Sequence, residues 1–182
     1  MMKNNKKKRI VALIFGGLLT IVIIPLIFYI LSKPLDIYFN LEILIPVPYN
    51  WIIGTPIFIF GFFWSLISNI QLFTEGKGGP IPRSGIQTQK LVIKGVYKYS
   101  RNPMLFGYIL ALIGLGFILN SLFFIILPNI SIFPLLLIYI KLKEEKGLEQ
   151  RFGDDYIRYK QATSFIIPWF PKHMEKIEKN SS

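Results

Sequence analysis

The run IVALIFGGLLTIVIIPLIFYIL, Ile10–Leu31, contains no charged residue and follows Lys3, Lys6, Lys7, Lys8 and Arg9. About twenty apolar residues in helical conformation cross a hydrocarbon core of about 30 Å, and this run exceeds that length. It is longer than the apolar region of a secretory signal and no small-x-small site follows it, so the expectation is a retained helix. Pro25 is expected to kink it. Working outward, Trp51–Phe73, Pro103–Leu119 and Leu122–Ile140 are three further apolar stretches. Asn120–Ser121 supplies a turn signal between the last two, with Pro128–Asn129 as the alternative turn. Residues 32–50, with Pro34, Pro46 and Pro48, read as an external connection, because proline removes a backbone donor and disfavours a continuous helix.

Of the 182 residues, 52% are hydrophobic and only 17% charged, against about 25% charged in soluble domains. The charges are segregated to the N-terminus, to residues 74–102 and to the region after residue 140. A bilayer demands that segregation, because a charge at its centre costs a few kcal/mol or more. The net charge of +11 therefore reads as an orientation signal and not as a nucleic-acid footprint. Lys77, Arg83, Lys90, Lys94, Lys98 and Arg101 face a single acid, Glu75, whereas residues 32–50 carry Lys33 against Asp36 and Glu42. Basic loops stay inside, which puts the N-terminus, the 74–102 loop and the C-terminal segment in the cytoplasm. The expected fold is all-α: a polytopic membrane protein of about four transmembrane helices plus a C-terminal cytoplasmic amphipathic helix. That last element rests on Leu148, Phe152, Tyr156 and Tyr159, which recur at helical spacing within Lys141–Lys160, with Gly153 as a bend. The aromatic stretch Phe165–Pro171 is too short to span and is expected in the headgroup region. Three regions follow: 1–73, a two-helix membrane region; 74–171, the functional region; and 172–182, a disordered tail.

The chain has no cysteine, which removes disulfides, thiolate metal sites and a cysteine nucleophile. His173 is the single histidine and has no partner at ligand spacing, so no metal is expected. Three polar features remain. Gly76-Lys77-Gly78-Gly79-Pro80 reads alone as a flexible connector. In Gly95–Pro103, Asn102 and Pro103 have the residue types of an N-cap and a first helical position. They place Arg101 at a helix N-terminus that attracts anions; an ordinary interfacial anchor is the other reading. Glu144–Glu145 sits within about a turn of an apolar run, where carboxylates draw a cation strongly, or else forms a solvated helix face.

Taken in order, EGKGGPIP at Glu75–Pro82, LVIKGVYKYSRNPM at Leu91–Met104, EEKGLEQRFGDDYIRYK at Glu144–Lys160 and IIP at Ile166–Pro168 resemble one family. It is the isoprenylcysteine carboxyl methyltransferase and phospholipid methyltransferase superfamily of integral membrane enzymes. The likeness covers about half the chain. Two departures stand out: Asn102 occupies a position that is often histidine, and Leu105 replaces a tyrosine, for which Tyr108 is a partial substitute.

The resemblance implies S-adenosyl-L-methionine as cofactor and methyl transfer to a lipophilic or lipid acceptor bearing a carboxylate or an amine. It implies a cofactor set of Val96, Tyr97, Asn102 and Pro103 from the second motif, Tyr108 just beyond it, and Glu144 from the third. Arg101 and Glu145 complete that set and are the catalytic candidates. The carboxylates suit the cofactor's ammonium group, Arg101 with the helix N-terminus suits its carboxylate, and Tyr97, Tyr99 and Tyr108 offer aromatic faces to its cation. An NADPH-dependent sterol-type reductase and an inactive membrane scaffold are the competing readings. The Lys- and Ile-rich composition points to a prokaryotic cell membrane, which ranks a prenylcysteine acceptor lower. Membrane lipids are the expected partners, and neither oligomeric state nor acceptor identity follows from the residues.

Overall fold

In the computed structural model, the described residues are 17–41, 43–76 and 88–170. Expectations for the basic N-terminus, the Gly-rich loop 77–87 and the tail 172–182 lie outside them. Among the described residues the chain is all-helical apart from one isolated parallel bridge, Ser100 with Ser164. Three helices are long and apolar enough to cross a membrane: α1, Leu19–Tyr38; α2, Tyr49–Thr74; and the run Leu122–Phe152. A shorter apolar helix, α3, covers Pro103–Ile118. The protein is a polytopic membrane protein.

The irregularity expected at Pro25 is a π-helical turn, Leu19–Ile23, placed immediately before it. Proline cannot donate to the carbonyl four residues back, and a widened turn accommodates that loss. Pro34 behaves against expectation. The helix runs through it to Tyr38, seven residues beyond the end at Leu31 read from the sequence. The reason is tertiary. Ser32 and Asp36, four residues apart on one face, are fully buried. Asp36 accepts hydrogen bonds from the Ser121 hydroxyl and from the Phe123 amide (3.1 Å). Ser121 Oγ in turn lies 3.2 Å from Ser32 Oγ and accepts from the Phe124 amide (3.1 Å). A carboxylate from α1 thus caps the N-terminus of the next helix, α4 (Leu122–Ile130), where orphan amides and the helix dipole favour an anion.

The turn between α3 and α4 falls at Asn120–Ser121, not at Pro128–Asn129. Asn120 takes φ 53°, a left-handed conformation that asparagine tolerates. Its side chain ties down the preceding loop through the Leu44 and Ile45 amides (2.8 and 2.9 Å). Beyond α4, the helical run is interrupted at Ser131 before α5, Ile132–Tyr139. Pro134 lacks the amide that would bond the Ile130 carbonyl, which places the break. A second π-helical turn, Ile140–Glu144, leads into α6, Glu145–Phe152. Gly153, at φ 55°, then turns the chain into α7, Asp154–Ala162.

The tightest packing joins α2 to the antiparallel α3. Gly54 and Gly61 on α2 face Gly114 and Gly107 on α3. A Cβ on Gly61 would sit 2.4 Å from the Ala111 amide nitrogen, and one on Gly107 would sit 2.5 Å from that of Ser65. Helices in lipid gain little from hydrophobicity against each other, so close backbone approach at small residues supplies the dispersion energy that holds them. Phe28, Leu105, Leu112, Phe124 and Phe133 form the main apolar cluster between α1, α3, α4 and α5. Leu105, where the resembling family has tyrosine, belongs to that core.

Candidate functional site

The site gathers at the end of the molecule where α2 finishes and α3 begins. Gly95, at φ 57°, opens a short 3-10 turn, Gly95–Lys98. A side chain is disfavoured there by the positive φ, and a Cβ would also lie 1.8 Å from Gln71 Nε2, displacing that side chain. Gln71 Oε1 accepts from the Val96 amide at 3.1 Å, locking the turn against the end of α2. Tyr97 is thereby turned inward, its hydroxyl donating to the Ser68 carbonyl at 3.3 Å.

The next four residues are held by the chain's C-terminal part. Tyr159 on α7 donates its hydroxyl to the Tyr97 carbonyl at 2.7 Å. The Arg101 amide donates to the Ser164 carbonyl (2.8 Å), and Ser100 Oγ donates to the Ile166 carbonyl (2.7 Å). Asn102 stands at the N-cap position and Pro103 in the first helical turn, as the sequence suggests. The Asn102 side chain, however, makes no cap. Its Nδ2 donates to the Phe165 carbonyl at 2.9 Å, while its own amide donates to Ser100 Oγ at 3.1 Å. Asn102 fastens the C-terminal segment, and backbone at 164–166 competes successfully for the group that would have capped α3.

Between these elements and α6 lies a small cleft of about 70 Å³. Its charged residues are Lys90, Arg101, Glu144 and Glu145. Arg101 Nη1 is hydrogen-bonded to Glu145 Oε1, and Lys160 Nζ reaches Glu145 Oε2 at 2.9 Å and Glu149 Oε1 at 2.8 Å. The Glu145 side chain is 4% exposed, so both of its oxygens are spent inside the protein. Arg101 Nε, by contrast, is buried without a hydrogen-bond partner, and the guanidinium lies 5.3 Å from the centre of the Phe165 ring. Among the described residues Glu144 has neither a salt bridge nor a hydrogen bond. The apolar wall is Leu72, Leu148, Phe152 and Ile140, with the Tyr97, Tyr156 and Tyr159 side chains completing it.

Burial, and then the charge of Glu144, raise the Tyr97 phenol. Tyr156 is pushed up to about 12, by burial first and by the Glu145 carboxylate second. Burial lifts Tyr159 well above the usual phenol range. All three remain protonated at neutral pH. Hydrogen bonds to Glu149 and Glu145 raise Lys160, which stays charged.

A sequence model of the phospholipid methyltransferase family matches residues 49–155, more than half of the chain and all of this cleft's lining except Tyr156 and Tyr159. The chain belongs to the phospholipid methyltransferase family. It is a membrane methyltransferase that acts on lipid. No curated protein matches it. The family's match begins at the first residue of α2, so the Gly54–Gly61 face and the site lie together within the matched region, whereas α1 precedes it.

Of the residues expected at this methyltransferase site, Tyr97, Arg101, Asn102, Glu144 and Glu145 come together on the cleft. Val96 and Pro103 are buried behind it. Val96 packs with Val92, Tyr97, Trp64 and Leu72. Tyr108 is not brought to the cleft. Its hydroxyl donates to the Thr20 carbonyl at 2.7 Å and its ring packs against Phe133. Five residues of helix carry it away from Pro103 by about 7.5 Å at 1.5 Å per residue. Lys160 and Thr88 were not singled out from the sequence. Lys160 reaches the cleft only because Gly153 folds α7 back, and no local spacing signals that contact. Among the described residues no cluster has the composition of a metal site.

Proposed function

We propose that this lipid methyltransferase uses S-adenosyl-L-methionine and methylates a carboxylate or amine of a lipophilic acceptor at the cytoplasmic face of a prokaryotic cell membrane. The observation that carries the reading is the pairing, on one cleft, of a buried guanidinium nitrogen without a partner and a carboxylate without a partner. An amino-acid group bears one anion and one cation, and Arg101 Nε with Glu144 matches that pair in charge. The residues present therefore fit the cofactor. When bound, S-adenosyl-L-methionine supplies an electrophilic methyl group on a sulfonium.

Arg101 holds the carboxylate by charge-assisted hydrogen bonds, and Glu144 takes the ammonium. Glu145 is a positioning residue: one oxygen orients Arg101 and the other is anchored by Lys160. The Tyr97 ring presents a π face to positive charge, while Leu148, Ile140 and Phe152 keep water out. Alignment and dryness then carry most of the rate, since direct displacement needs no covalent enzyme intermediate. The acceptor enters from the bilayer, beside the apolar helices that adjoin the cleft. The matched family favours methyl transfer over an NADPH-dependent reduction.

Calorimetry on detergent-purified protein tests the reading. S-adenosylhomocysteine binds, NADPH does not, and Glu144→Gln weakens S-adenosylhomocysteine roughly tenfold or more through loss of a charge-assisted hydrogen bond. Binding of NADPH alone, or equal affinity in wild type and Glu144→Gln, contradicts it.

A further inference from the structure

Residues 164–170 do two things at once. Their backbone is tied to the segment that carries Arg101. Four hydrogen bonds run between the two: Arg101 amide to Ser164 carbonyl (2.8 Å), Ser100 Oγ to Ile166 carbonyl (2.7 Å), Asn102 Nδ2 to Phe165 carbonyl (2.9 Å), and Trp169 amide to Tyr99 carbonyl (3.0 Å). Phe165 lies over the guanidinium. The other side of the same segment carries Ile167, Trp169 and Phe170, which are 69%, 70% and 81% exposed. Large apolar side chains so exposed next to a site, with tryptophan among them, mark a surface with a partner.

We propose that Ser164–Phe170 is a membrane-seated strap. Ile167, Trp169 and Phe170 rest in the headgroup layer of the bilayer that this chain spans, and the strap's backbone transmits that anchorage to Arg101 and Asn102. Three observations select lipid as the occupant. The segment to which the strap is bonded leads directly into the apolar helix α3 at Pro103, so the strap lies where an apolar surface meets a polar one. The ring of Phe170 packs on Tyr99, with half-buried Lys98 beside it and exposed Lys94 four residues earlier. That basic edge complements anionic headgroups, each Lys near the surface adding favourably. Indole and phenyl groups on an apolar segment too short to span are the composition of an interfacial anchor. The consequence is that the geometry of the guanidinium depends on membrane attachment. The strap itself stands on the bonds above, while its importance for methyl transfer rests on the role proposed for Arg101.

The absence of native cysteine makes the test direct. Phe170→Cys carrying a nitroxide is placed in nanodiscs of phosphatidylcholine and phosphatidylglycerol. Collisions with dissolved oxygen, which concentrates in the bilayer, are compared with those with a water-soluble nickel chelate. The strap predicts that oxygen collisions dominate; domination by the nickel chelate overturns the seating. Amide exchange of Tyr99–Asn102 is then compared between wild type and Trp169→Ser/Phe170→Ser in the same nanodiscs. Faster exchange by roughly fivefold to tenfold, the factor for one lost net hydrogen bond, with exchange in α2 unchanged, is the expected result. Equal exchange at Tyr99–Asn102, or an increase spread over the whole protein, overturns the coupling. Neither readout uses a methyl donor, so a protein that seats its strap but methylates nothing contradicts the proposed function and leaves the strap intact.

Discussion

Arg101 has a carboxylate at Nη1, an aromatic ring over its plane, and no partner at Nε. An interfacial anchor requires only a long stem and a positive charge. A planar fork already bonded at one edge is a different device, because lysine offers a point charge and cannot serve two partners in fixed directions. Arg101→Lys is therefore expected to insert normally and to keep Glu145 paired, with an unfolding temperature close to wild type. Methyl transfer at limiting cofactor falls by tenfold or more, the scale of a lost charged hydrogen bond. Full turnover in that variant would return Arg101 to the role of anchor. At this scale the motifs singled out Arg101, Asn102 and the two glutamates, which meet on one cleft. The sequence made Glu145 and not Glu144 the catalytic candidate, without any sign that Glu145 is paired with Lys160, because adjacent residues on a helix point about 100° apart and only the fold says which faces that lysine. Tyr108 was misplaced for a related reason: proximity in sequence to the motif does not survive a turn and a half of helix.

The elements follow the apolar runs closely, since hydrophobic length and Asn120 punctuate them plainly. Pro34 is the instructive exception. A local rule placed a helix end there, and the buried Ser32–Asp36–Ser121 contact overrode it with an interaction more than eighty residues distant in sequence. The Leu148, Phe152, Tyr156 and Tyr159 stripe was legible, and it does pack, against Leu91 and Ile93. The α2–α3 glycine face was not read from the sequence, because glycine spacing on one helix acquires meaning only once its partner is known. Gly107 tests that face, with Gly147 on α6 as the control. Gly107→Ala puts a methyl 2.5 Å from backbone and is expected to cost about 1–3 kcal/mol through overpacking. Gly147→Ala meets nothing within 4 Å and is expected to gain about 0.5–1 kcal/mol from helix propensity. Thermal unfolding in detergent reads both; equal stability of the two variants would mean that the helices are not in contact along this face.

On the scale of the whole molecule, α3 joins two polar ends. One holds the Asp36–Ser121–Asn120 cluster and the other holds the cleft with its basic surroundings. The charge asymmetry of the sequence, on which the proposed cytoplasmic orientation rests, predicts that Ser84→Cys reacts with an impermeant thiol reagent only after cells are permeabilised, and that Ile43→Cys reacts in intact cells. The reverse pattern would invert the topology and move the site to the other face. Helix number and general architecture were legible because a bilayer enforces segregation of charge. The acceptor was not, because a lipophilic chain is recognised by shape and leaves no charge signature in the sequence. The most direct measurement of the central claim is methyl transfer itself. Purified protein in nanodiscs receives a lipid extract and methyl-labelled S-adenosyl-L-methionine, and the lipids are resolved by mass. The account predicts a labelled lipid heavier by one methyl group, formed by wild type and nearly absent with Arg101→Lys. Unlabelled lipids throughout, from protein shown to be folded and inserted, would contradict it.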